Sequence, residues 1–145
     1  MKAYEIARGF ADVFGADDPL ANGAIYVIEQ SGEPFALPAV IFAVTVKAMN
    51  DRGSALAYVL TVWVESSADR QAESDPDPAW AHAANVDAVR QKLNGTGKNG
   101  LLASLNDQGV YGFDFRNWSA VESDPGLEAH HFRTPVSIAG VALAL

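Results

Sequence analysis

Cysteine is absent from this chain of 145 residues, which removes disulfides, thiolate nucleophiles and thiolate metal sites and leaves the redox compartment unread. Positive charge is scarce. Ten Lys and Arg stand against eighteen Asp and Glu, a net charge of −8, so a surface that neutralises phosphates is not expected, because nucleic-acid affinity is largely counterion release by cations. An acidic surface would instead let a DNA strand pass without sticking. No apolar run nears the ~20 residues of a membrane span, and Lys2, Glu5 and Arg8 interrupt the start where a signal peptide would be apolar. The expectation is a chain made in the cytoplasm with no membrane partner.

Catalytic signatures are missing as well. No Gly-x-Ser-x-Gly elbow occurs, and without cysteine no Cys–His pair can form, so nucleophilic catalysis has no recognisable seat. The run Asn94-Gly95-Thr96-Gly97-Lys98-Asn99-Gly100 has Lys92 where a phosphate loop needs its first glycine and Asn99 where it needs Ser or Thr. It also follows a helix instead of opening one. His130 and His131 are adjacent, so on a strand their rings point to opposite faces, and His82 stands alone on a helix; no metal site is expected. The three are read instead as exposed or hydrogen-bonded core histidines. The carboxylates of 65–77 lack the alternation and central glycine of a calcium loop. Catalytic, cofactor and metal residues are therefore all read as none, and the chain as no enzyme.

What is present is a globular composition, 49% hydrophobic and 19% charged, in a length that fits one domain over 1–145. Its centre is Val40 to Ser66. Val40, Phe42, Val44 and Val46 alternate with Ile41, Ala43, Thr45 and Lys47 before the turn Asn50-Asp51-Arg52-Gly53, the two-residue period of a strand. Leu56, Tyr58, Leu60, Val62 and Val64 then share one face, and Ala57, Val59, Thr61, Trp63 and Glu65 the other. This is a long antiparallel β-hairpin.

Around it, Tyr4, Ile6, Phe10, Val13 and Phe14 predict a short amphipathic helix ending near Gly15, and Ala24–Ile28 a short strand. Pro38 belongs at a strand's beginning or on an edge. Residues 65–77 read as an exposed acidic loop carrying Glu65, Asp69, Glu73 and Asp75. Asp77-Pro78 is a helix start, and His82, Val86, Val89 and Leu93 recur on one helical stripe that Asn94-Gly95 stops. Leu101, Leu102 and Leu105 fit one more helical turn. Tyr111, Phe113 and Phe115 alternate as a strand with one aromatic face, 117–128 reads as a polar loop, and 131–145 as a buried strand with a slip near Gly140. The fold class is α+β, a mainly antiparallel sheet built on the hairpin with two or three helices on one face.

Trp63, Trp80 and Trp118 are expected as core or core-edge anchors, with Trp118 the one to watch. A tryptophan beside Arg116 and Asn117 in a polar loop has the composition of a protein–protein contact. Trp118, Arg116, Asn117 and Arg133 are the candidate subunit or partner surface.

The order of helix, Leu37-Pro38-Ala39-Val40 entering a hairpin, acidic loop, a helix reading His-x-x-x-Val-x-x-Val-x-x-x-Leu from His82 to Leu93, and then aromatic and C-terminal strands resembles the tail terminator and tail-completion proteins of tailed bacteriophages. The resemblance spans nearly the whole chain. It implies a structural virion protein of the tail and neck, assembled in the bacterial host cytoplasm, that forms a ring, commonly a hexamer, on the end of the tail tube. Such a ring stops tube growth, joins tail to head, and contacts tube and connector proteins while DNA passes nearby without specific binding. Glu65, Asp69, Glu73 and Asp75 would then line an acidic lumen or surface. Two alternatives stand beside it: another head–tail connector or tube-like subunit, and, from a different class, a monomeric small-ligand-binding α/β domain walled by Tyr111, Phe113 and Phe115.

Overall fold

A computed structural model describes residues 3–16, 20, 24–29, 36–49, 52, 55–69, 73–75, 77–93, 110–118 and 131–143, the side chains of 110–118, 142 and 143 excepted. The elements run α1 (Ala3–Ala16), β1 (Ile25–Ile28), β2 (Ala39–Ala48), β3 (Ala55–Ser67), α2 (Pro78–Leu93), β4 (Val110–Trp118) and β5 (His131–Leu143). The five strands form one sheet in the order β1-β2-β3-β5-β4. All pairs are antiparallel except β1 with β2, which is parallel. The α+β class and its mainly antiparallel sheet are thus observed.

The hairpin is built as its alternation requires. Val40 pairs with Val64, Phe42 with Val62, Val44 with Leu60 and Val46 with Tyr58, and β5 continues the same face with Thr134, Val136 and Ile138. Both helices cover that face. The α1 stripe of Ile6, Ala7, Phe10, Ala11 and Phe14 is buried over β1 and β2, with Phe14 edge-on to Phe42 and Phe10 tilted against Tyr58. Burial also holds the Tyr58 hydroxyl far above its ordinary pKa. The α2 stripe of His82, Val86, Val89 and Leu93 lies over β3 and β5. Its start is the expected one: Asp77 Oδ1 accepts from the Ala79 N–H at 3.0 Å, beside Pro78 in the first helical position.

Asn117 and Trp118 are not in a loop but end β4, in register with Ser137 and Val136. A register shift does fall near Gly140, between the pairs Tyr111–Val141 and Asp114–Ala139, with the extra residue on β4; against β3, Gly140 pairs regularly with Tyr58, and β4 shifts again between Phe115 and Asn117. Along the backbone, Tyr111 is in register with Val141 and Phe115 with Ile138. Trp80 is no core anchor. It is 76% exposed, because two residues along a helix turn it about 200° from His82 on the buried stripe. The extra helical turn at Leu101–Leu105, and His130, fall outside the described residues.

Replacing the fully buried Phe42 by Ala is expected to cost about 3–5 kcal/mol. Val59→Ala, on the open face of the neighbouring strand, should stay within about 0.5 kcal/mol of the parent. Urea unfolding measures both, and equal losses would contradict the assignment of faces.

Candidate functional site

The ionisable groups that the fold brings together sit where β3 ends and β5 begins, on both faces of the sheet. On the helix-bearing face, Ser66 follows Val64 by two residues and Thr134 pairs with Val64, so both hydroxyls point toward α2. His82, fully buried, lies between them: Nδ1 is 2.5 Å from Ser66 Oγ and Nε2 is 2.9 Å from Thr134 Oγ1. Phe132 stacks on the imidazole at 5.4 Å. A neutral ring has one N–H and one lone pair, so one hydroxyl accepts from it and the other donates to it. Burial, and secondarily the nearby His131, lower the His82 pKa from 6.5 to about 4.

On the opposite face, Glu65 and Arg133 are cross-strand partners, and His131 shares their face two residues before Arg133. One Glu65 carboxylate oxygen lies 3.0 Å from His131 Nε2 and 3.5 Å from Arg133 Nε, and the guanidinium sits 3.7 Å above the Trp63 ring. These are close approaches more than aligned hydrogen bonds. Glu65 is 3% exposed. It therefore does not belong to the acidic loop: it is the last buried position of the face that runs Thr61, Trp63, Glu65, and the Arg133 guanidinium and the His131 ring lie against its carboxylate. Asp69, Glu73 and Asp75, in the segment after β3, are exposed as expected.

A serine hydrogen-bonded to a histidine invites comparison with a nucleophile and its base. The physics points elsewhere. A ring with a pKa near 4 is a weak proton acceptor at neutral pH, and its two nitrogens are both occupied by hydroxyls that tie α2 to β3 and β5. The network is a structural weld. A groove of about 600 Å3 lies elsewhere, between α1 and β1, lined by Tyr4, Arg8, Asp12, Tyr26, Val27 and Ile28. The Arg8–Asp12 pair at its rim, 3.8 Å apart, is exposed and contributes little.

Of the candidate surface residues, Arg116, Asn117 and Trp118 lie on the backbone of β4, and Arg133 lies on β5, committed to Glu65 and Trp63. The His82 network was missed because its partners are 16 and 52 residues away in sequence; its one signal was a histidine on an apolar stripe. The exposure of Trp80 was legible from its offset to that stripe. No protein-family model matches the chain, and no curated protein is a significant match to its sequence.

Because His82 is held neutral, the unfolded chain binds a proton that the native state refuses. Its contribution to stability is complete above pH 6.5 and is lost as pH falls from 6.5 toward 4, on the order of 3 kcal/mol in all. Urea midpoints followed from pH 7 to pH 4 should show this loss in the parent and lack this component in His82→Gln. Identical pH slopes in the two proteins would contradict the assignment.

Proposed function

We propose that this chain is a non-enzymatic assembly subunit of the tail-terminator or tail-completion kind, forming a ring on the end of a phage tail tube. The ring would stop tube growth and present a face to the head-connector proteins. The observation that carries the reading is the group of large apolar side chains exposed on an acidic chain, Met49, Val46 and Val59 at the hairpin end and Trp80 on α2; Tyr4 on α1 and Ile25 on β1 are exposed as well. Apolar surface of this kind, on a small domain, is what an interface covers.

The buried polar groups fit the same reading. Ser66, His82 and Thr134 on one face, and Glu65, His131 and Arg133 on the other, are occupied with holding elements together. Asp69, Glu73 and Asp75 supply an exposed acidic segment past which DNA can slide without adhering. Among the described residues no helix is long and apolar enough to cross a membrane.

The rival is a monomeric ligand-binding domain, and the α1–β1 groove, with two tyrosines, an arginine and an aspartate on its walls, is where its ligand would sit. Light scattering over a range of protein and magnesium concentration, with negative-stain images of any large species, separates the two. Closed rings with a central hole are the expected result. A monomer under every condition would contradict self-assembly and favour the groove.

A further inference from the structure

Of the large apolar residues exposed among the described residues, Tyr4 lies on α1, Ile25 on β1 and Trp80 on α2, and the other three lie together. Val46 (38% exposed), Met49 (57%) and Val59 (45%) surround the end of the hairpin, which closes through the Met49 N–H donating to the Ala55 carbonyl at 2.9 Å. Val46 pairs with Tyr58 and so stands on the helix-bearing face, whereas Val59 pairs with Thr45 and stands on the other. Because β3 stays paired with β5 as far as Ala55, these groups mark an end of the sheet that is apolar on both faces, an end that a partner can clasp. Lys47 and Arg52 bring positive charge to the same tip, and neither forms an ion pair among the described residues.

The complementary surface lies at the other end of the same strand. Past Ser67, the exposed carboxylates of Glu73 and Asp75 lead to the first turn of α2, where Trp80 projects into solvent. The 13 residues of β3 separate the two ends by about 40 Å, too far for them to meet within one molecule.

We propose that the hairpin tip of one copy docks on Trp80 and the Glu73–Asp75 segment of the next. The proposal rests on the ring-forming reading above and names its interface. Two different surfaces at opposite ends make a head-to-tail contact, which closes into a ring when its rotation permits. A net charge of −8 sets copies against one another at long range, so the local pairing of Lys47 and Arg52 with the acidic segment selects the contact. Salt should weaken it.

The lack of native cysteine makes the test direct. Ala48→Cys and Ala84→Cys place single thiols on exposed residues beside the tip and one turn from Trp80, leaving every proposed contact side chain in place. A short bis-maleimide should link the two variants when mixed, neither when alone, and a chain bearing both thiols should give products beyond two copies. In light scattering, Lys47→Glu with Arg52→Glu should weaken association at least about tenfold, as should Glu73→Lys with Asp75→Lys, and the two sets combined should restore it. Association without a mixed cross-link, self-linking of Ala48→Cys, or products ending at two copies would overturn this interface while leaving self-assembly standing. A parent protein that never associates would overturn both.

Discussion

The structure depends on the alternation of β3, which is paired on both sides and has an apolar side chain at every second position from Leu56 to Val64. Those residues, with their partners on β2 and β5, make the surface on which both helices lie. A shift of one residue would turn this face to solvent and present Thr61, Trp63 and Glu65 to α1 and α2. The polar residues at the strand's end strengthen the choice. In the observed register Ser66 meets His82 and Glu65 meets Arg133 and His131; a slip would leave a carboxylate under a helix with no cation near it.

This explains why titratable groups can be deeply buried here. Each is matched across an element boundary, and each match costs stability when broken because the partner is left unsatisfied. His82 is the tightest case, since a helix, two strands and an aromatic ring converge on it. The polar end of the sheet is a lock, and the freedom to interact lies at the surface.

The hairpin, its two faces and the Asp77-Pro78 helix start were legible because they are local: period two, period 3.6 and capping chemistry are written within a few residues. The parallel pairing of β1 was not, since a four-residue apolar run carries no sign of its direction. Nor was the insertion of β5 between β3 and β4, which depends on contacts across the whole chain. The bulges of β4 hid behind a regular aromatic alternation. Glu65 had two readings, the end of a strand face or the start of an acidic loop, and Arg133 and His131, distant in sequence, decide between them.

On the proposed reading, the fold keeps its buried polar groups for its own cohesion and offers a hairpin tip and an exposed tryptophan for assembly. Amide hydrogen exchange of the whole chain, followed by mass spectrometry over a range of protein concentration, tests it most directly. The segments around 46–59 and 73–84 should gain protection as concentration rises, while the buried ladder around 60–66 and 134–138 stays protected throughout. Protection gained instead along α1 and β1, or unchanged everywhere, would contradict the account.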